Sequence, residues 1–523
     1  MAALDRRRLR TDSVAKSAHH LPKADDTNEF SVSLAKAVDP LILALDVGST
    51  ASRGSLHDAQ GVPIRGYRHK VPHSFTSAGD GTSIIDADQV VEELASIIDA
   101  VIGTRKELVG RVKGVAIDTF ASSLVGVDAN HRATSPCYTY ADSRSTPQLA
   151  QLREEVDERE LQQLTGARLH TSYLAPRFRW LRENEPEQMA ATKRWLSLGE
   201  YFHFRLLGKA RAGTAVAAWT GLLDRRTGDW SDRMLELARI DRSQLSLIAR
   251  PTQPILEVPS GVLQRWPALR DAHWFAPIAD GLAQNVGAGG RDESTIVTSM
   301  STSGAMRVLV HRTPEEIPYG LWCYRIDDKR SLLGGAINDV GRAVDWAART
   351  FALPEGVDST DIADRPYRKD LPVFLPYLTG ERSTGWVGGA KAMALGITES
   401  TGPEDLARAV MEGIVLSLGR VAEQLKEAAG DVDRLVATGG VSQNVPGVQQ
   451  LLADHLGRET IQATFKRSTL RGTAVMAAEV LAPEISAAEA PRDHTFKPRE
   501  KHREHWDRLS ERFEDGYSKL IGS

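Results

Sequence analysis

The sequence predicts an α/β protein built as two related domains, and three features carry that prediction. A short apolar run that ends in a glycine turn and leads straight into a second strand occurs twice, in residues 41–57 and again in 294–310. Apolar residues at helical spacing alternate with short strand-like runs through the rest of the chain. The 523 residues, 41 % of them hydrophobic, suffice to fill two large cores.

The first 40 residues differ from the rest. They hold Arg6, Arg7, Arg8 and Arg10 and then a polar run with few aromatics. No apolar stretch follows the arginines, so a secretory signal is excluded and an N-terminal extension without packed structure is expected over 1–40. Leu41-Ile42-Leu43-Ala44-Leu45-Asp46-Val47 is short and apolar, as a buried strand requires. It stops at Gly48-Ser49-Thr50, and a second strand runs from Arg53 to His57. The repeat of this pattern begins at Ser294-Thr295-Ile296-Val297-Thr298, turns at Ser301-Thr302-Ser303-Gly304 and continues as Met306 to Val310. Leu406, Val410, Ile414, Leu418, Val421 and Leu425 form one apolar helix face, and Pro403 suits its first turn. Residues 435–441 read as another buried strand entering a glycine turn. Gly287-Ala288-Gly289-Gly290 reads as a hinge, 485–500 as a surface connection and 501–519 as a C-terminal helix. The expected domains are 41–288 and 289–523.

Composition excludes several classes of partner. Sixty-five Lys and Arg oppose 69 Asp and Glu, a formal charge of −4, so no basic field draws the chain to nucleic acid or an anionic membrane. No segment approaches the ~20 apolar residues that span a bilayer. The two cysteines, Cys137 and Cys323, are too few for a disulfide framework and fit a reducing, cytoplasmic compartment. There is no G-x-x-x-x-G-K-[ST] phosphate loop. His69 and His73 are four apart, but Pro72 argues against a helix that would give them one metal-binding face. His502 and His505 fall on a charged helix and read as solvated.

Three glycine turns follow apolar strands. In Asp46-Val47-Gly48-Ser49-Thr50 glycine admits close approach of a ligand, hydroxyls and free N–H groups suit phosphate oxygens, and Asp46 suits a Mg²⁺ shell. Arg53 adds a charge clamp. A plain hairpin turn would use the same residue types. Ser301-Thr302-Ser303-Gly304 offers three hydroxyls on one turn. Gly439 and Gly440 in the third, Thr438 to Asn444, would let a flat ring lie against the backbone. Asp280, at the end of a short apolar run and beside Gly281, is a candidate general base for a hydroxyl attacking phosphorus. A helix N-cap is the alternative for that residue.

These residues together resemble the FGGY carbohydrate kinases of the actin-like ATPase superfamily, over nearly all of 41–520. Leu45 to Thr50 with Arg53 is similar to the family's first phosphate motif and Ser301 to Gly304 to the second, with Ser301 in place of the usual Gly. Val436 to Asn444 resembles the adenosine motif, Gly472-Thr473-Ala474 the helix start near the base, and Pro376 to Arg382 the P-Y-x-x-G-E-R segment. The resemblance implies two RNase H-like domains with an interdomain catalytic cleft, ATP and Mg²⁺ bound between them, and phosphoryl transfer to a sugar hydroxyl. It places Asp280 as the base and Asp46 toward Mg²⁺. Gly48, Ser49, Thr50, Arg53, Ser301, Thr302, Ser303, Gly304, Gly341, Gly439, Gly440 and Asn444 fall around ATP. Tyr140-Ala141-Asp142-Ser143-Arg144 resembles the substrate segment W-x-D-x-R, with Tyr140 replacing Trp. Tyr140, Asp142, Arg144, Ser122, His170 and Asp280 therefore fall at the sugar. Similarities around 165–170, 220–223, 298–309, 321–324 and 334–338 point to the gluconate kinase branch, with pentulose or polyol kinases and a weakly catalytic binding protein as alternatives. Arg144, His170, Arg177 and Arg342 are the cations available to a substrate carboxylate. The resemblance admits a homodimer.

Overall fold

The computed structural model describes residues 30–521 apart from Lys466. Part of the expected 1–40 extension lies outside them. The part inside is built into the fold: Val32 bridges to Ile64, and Arg111 holds Asp39 and the carbonyls of Leu34 and Ala37.

The first lobe starts with β1 (Leu41–Val47), fully buried along its length as its unbroken apolar pattern requires. It pairs antiparallel with β2 (Ala51–His57), which pairs antiparallel with β3 (Pro63–Pro72). Helix α1 (Ala87–Val101) begins where the Asp86 side chain accepts from the N–H groups of Asp88 and Gln89. Strand β4 (Val112–Thr119) then lies parallel to β1 on its other side. Two short strands, β5 (His273–Trp274) and β6 (Ile278–Ala279), join β4 from far along the chain, both parallel to it. The six-stranded sheet runs β5–β4–β1–β2–β3, with β6 beyond the end of β5 on β4. A largely helical insertion, residues 146–240, packs Leu152, Phe178, Leu181, Trp195 and Ala217 into a core that it shares with Leu309, Trp322, Tyr324 and Leu332 further along the chain.

Helix α2 (Asp280–Gly287) leads to the second lobe. Its strands are β7 (Thr295–Met300), β8 (Gly304–Val310), β9 (Trp322–Arg325) and β10 (Ser331–Ile337). Helix α3 (Gly341–Thr350) and the long α4 (Pro403–Ala429) follow. Then come β11 (Arg434–Thr438), α5 (Gly440–Asn444), β12 (Thr460–Ala463), α6 (Ser468–Leu481), β13 (Arg492–Phe496) and α7 (Arg503–Leu520). The seven-stranded sheet has the order β9–β10–β8–β7–β11–β12–β13. In each lobe an antiparallel hairpin opens the sheet and its first strand then takes a parallel neighbour. The two hairpins seen in the sequence thus head two sheets of related design.

The lobes meet through helices. Leu470, Ala474, Ala477 and Ala478 of α6 pack on Ile42, Ala44 and Ala116 of the first sheet. Helix α6 also crosses α2 backbone to backbone. A Cβ on Gly287 would stand 1.7 Å from the Ser468 carbonyl oxygen, and one on Gly472 1.8 Å from that of Ala283. Gly287, the first residue of the segment expected as a hinge, is therefore one side of a close helix crossing. The reading of the C-terminal histidines as solvated is corrected: His505 is buried against the Glu412 carboxylate, and His502 lies edge-on to Tyr367. Cys137 and Cys323 are free and buried. No described helix is long and apolar enough to cross a membrane.

Candidate active site

Three carboxylates meet at the C-terminal ends of parallel strands. Asp46 on β1 stands opposite Asp118 on β4, and β6, paired with β4 at Asp118 and Thr119, delivers Asp280 as the first residue of α2. Strand ends of this kind open onto the crevice where α/β sheets bind ligands. Arg53 Nη1 donates to Asp46 Oδ2 at 2.6 Å. Asp118 is wholly buried, and its Oδ2 accepts from Thr473 Oγ1 of the second lobe at 2.6 Å, while its Oδ1 has no protein partner. Burial and the neighbouring Asp46 push the Asp118 carboxyl well above its ordinary range. Burial also raises Asp280 to about 6, with Asp46 adding to the rise and Arg307 and the Gly281 N–H opposing it. Asp280 is not an N-cap; its Oδ1 accepts only from the adjacent Gly281 N–H among the described bonds.

The first phosphate-type turn directly follows Asp46, and the second and third lie against each other in the second lobe. The first is closed by a hydrogen bond from Gly48 N–H to Ala51 O, and Ser49 and Thr50 are exposed. The second, Ser301 to Ser303, is also exposed and is gripped from behind. Val340 and Arg342 N–H groups donate to Thr302 O, and Gly341 N–H donates to Ser301 O. Gly439 has φ 97°, and a Cβ there would sit 2.4 Å from the Met300 carbonyl oxygen, so only glycine fits between the second and third turns. Gly440 starts α5 and Asn444 ends it. Gly304, Gly341, Gly439, Gly440 and Asn444 are thereby gathered around one exposed strip of hydroxyls.

The expected sugar residues divide. Tyr140 lies beside the acids with its ring half-exposed, in an aromatic group with Phe75 and Phe120 at 6.4 and 6.2 Å. Asp142 and Arg144 hold each other, Nη2 to Oδ2 at 2.7 Å, and the Arg144 guanidinium lies 4.2 Å over the Trp180 ring. The Ser122 hydroxyl donates to the Trp219 carbonyl at 2.6 Å and is buried. Two of the four cations offered to a substrate carboxylate are corrected outright. Burial and Arg382 hold His170 down to about 3, so it is a neutral ring; Arg177 is buried and donates to the carbonyls of Ser122 and Thr139. Arg342 is paired with Asp339.

Three residues had no individual role in the sequence reading. Asp118 ends an apolar strand as Asp46 does, and that signal was present. Arg307 is a charge in an otherwise apolar strand; it reaches Gln284 and Ser299 and lies against Gly281. Arg382 has no carboxylate partner among the described residues, and its Nε is buried without an acceptor. Its charge acts on Tyr140, His170 and Tyr173 from one lobe and on Tyr324 and Arg307 from the other.

No three His, Cys, Asp or Glu side chains among the described residues form a metal cage. Asp46 with the unpartnered Asp118 oxygen fits a hard cation that takes its remaining ligands from water and substrate phosphates, as Mg²⁺ does.

A cleft between two related α/β lobes, with strand-end carboxylates on one side and glycine-and-hydroxyl turns around it, defines the class of two-lobed phosphotransferases. The N-terminal domain model of the FGGY family of carbohydrate kinases matches residues 41–268 and the C-terminal domain model 296–480. The chain belongs to the FGGY family of carbohydrate kinases. It is 24 % identical over 458 residues to a gluconokinase of Bacillus subtilis (83 % of this chain, 86 % of the relative). It is 24 % identical over 428 residues to a xylulose kinase of Escherichia coli (80 % and 85 %). The solved gluconate kinase from Lactobacillus acidophilus superposes with a TM-score of 0.84 at 24 % identity, covering 92 % of this chain and 98 % of that one. The fold is therefore that of this family, with two RNase H-like domains of the actin-like ATPase type.

Proposed function

We propose that this carbohydrate kinase transfers the γ-phosphate of ATP to a hydroxyl of a sugar acid of gluconate type. The observation that carries the substrate class is Arg382, a cation at the cleft with no carboxylate of its own. Arg307 stands on the same side, within the field of both Asp280 and Arg382. A substrate carboxylate supplies the missing negative charge. The gluconokinase and gluconate kinase among the similar proteins agree with this choice.

The Asp280 carboxylate takes the proton of the attacking hydroxyl; raised to about 6, it is ionised at neutral pH yet basic enough to accept. The hydroxyls and N–H groups of the Gly48–Thr50 and Ser301–Gly304 turns hold the phosphate oxygens in line. Asp46 and Asp118 would hold Mg²⁺, which when bound neutralises charge on those oxygens. Gly439, Gly440 and Asn444 line the adenosine side. Tyr140 packs on one face of the substrate, and Asp142 and Arg144 brace that wall. Use of ATP together with two free, buried cysteines supports a cytoplasmic enzyme.

A second reading, a pentulose kinase, is favoured by the xylulose kinases at the same identity. Sugar-dependent ADP release across D-gluconate, other aldonates, D-xylulose, D-ribulose and glycerol separates the two. The expected result is a kcat/KM at least tenfold higher for an aldonate than for any neutral compound. A neutral pentulose or polyol at the top of the panel overturns the sugar-acid reading.

A further inference from the structure

Glycine at position 48 frees the backbone of the first phosphate turn to present either face of the Gly48–Ser49 peptide to the cleft. One face offers the Ser49 N–H, a phosphate ligand; the other offers the Gly48 carbonyl, which repels phosphate. Something outside the turn must choose.

His73, just past the end of β3, is placed to do so. Its Nε2 lies 2.8 Å from the Gly48 carbonyl oxygen, and its backbone N–H donates to Thr50 O at 3.1 Å. A carbonyl oxygen only accepts, so Nε2 is the donor. The peptide is planar and trans, so a Gly48 carbonyl aimed at His73 turns the Ser49 N–H the opposite way. No described group accepts from that N–H.

The ring is itself fixed. Nδ1 lies 2.8 Å from Glu93 Oε2. Glu93, on α1, also accepts from Ser52 Oγ at 2.7 Å and Gln89 Nε2 at 2.8 Å. The His73 side chain is 1 % exposed, and its ring stacks on Phe75. Helix α1 thus sets the ring, and the ring sets the turn.

We propose that His73 is a positioning residue that locks the Gly48–Ser49 peptide with its N–H toward the ATP phosphates. The proposal rests on the reading of residues 48–50 as a phosphate turn. Two polar replacements test it, because they reach different partners. The amide nitrogen of His73→Gln reaches the position of Nε2 and keeps the bond to Gly48. That of His73→Asn reaches only the position of Nδ1 and keeps the bond to Glu93.

The measurement is titration calorimetry of a non-hydrolysable ATP analogue with Mg²⁺, no sugar present, with thermal unfolding as the folding control. Wild-type binding checks the phosphate-turn reading by itself. His73→Gln is expected within about threefold of wild type and His73→Asn about tenfold weaker, the loss of one well-made hydrogen bond. Equal affinities for the two variants, whether both strong or both weak, overturn the role of His73 while leaving the turn's reading intact. No binding by the wild type overturns both.

Discussion

Asp280→Asn separates catalysis from stability in a way that only a destabilised catalytic acid would. Asp280 stands at about 6 in the folded protein, against an ordinary 3.8. The folded state therefore holds the proton more tightly than the unfolded state, and between those values stability falls as pH rises. The penalty is complete above pH ~6, and at pH 7.5 it amounts to about 3 kcal/mol at ~1.4 kcal/mol per unit. It shrinks to about 1.6 kcal/mol at pH 5 and about 0.5 kcal/mol at pH 4. Asparagine has nearly the same shape and no charge, so the variant escapes the penalty while losing the base. Turnover should drop by at least ~100-fold. Melting temperature should rise by a few degrees at pH 7.5, and the gain should fade as pH is lowered to 4. Parallel thermal melts of wild type and variant across that range, beside a coupled ADP assay at pH 7.5, give both readouts. A variant less stable than wild type at pH 7.5, or a gain that does not change with pH, refutes the account of a carboxylate strained by burial and by Asp46.

Arg382→Gln keeps a polar, hydrogen-bonding side chain and removes its charge. If Arg382 meets a substrate carboxylate, kcat/KM for an aldonate should fall about 10- to 100-fold, and that for a neutral pentulose by less than about threefold. Equal losses on both substrates would show that Arg382 does not read the carboxylate. Gly439→Ala must place a Cβ at φ 97° and 2.4 Å from the Met300 carbonyl oxygen. Displacing the second turn should raise KM for ATP at least about tenfold and cost about 1–3 kcal/mol of stability. Near-normal KM with unchanged melting would remove Gly439 from the ATP site.

What the sequence disclosed followed from how local each feature is. The strand–glycine–strand hairpins at 41–57 and 294–310 announce themselves because a buried strand and a glycine turn are written in consecutive residues. The acids at strand ends were legible for the same reason, although Asp118 reads only as the start of a substrate-contact run, 118–123, and not as a companion of Asp46. The sugar side was not legible. Whether Arg144, His170 or Arg177 is free to meet a carboxylate depends on partners dozens of residues away: Trp180 over Arg144, Arg382 beside His170, the Ser122 and Thr139 carbonyls on Arg177. Counting cations in the sequence found four candidates. Asking which cations at the site have no carboxylate ion pair among the described residues adds Arg382, whose buried Nε has no acceptor.

That difference has a structural cause in how the lobes are joined. Thr473 comes from the second lobe's α6, yet its hydroxyl holds Asp118 inside the first lobe's sheet. The approach that permits this needs glycine on both helices, Gly287 and Gly472, since a Cβ on either would stand within 2 Å of a carbonyl oxygen of the other. The acid cluster is thus completed by a residue 355 positions along the chain from the strand it touches. Any movement of α6 against β4 must change what Asp118 is bonded to. The two lobes therefore share the site's electrostatics as well as its walls, and a motif read within one lobe describes only half of the groups that set its charge.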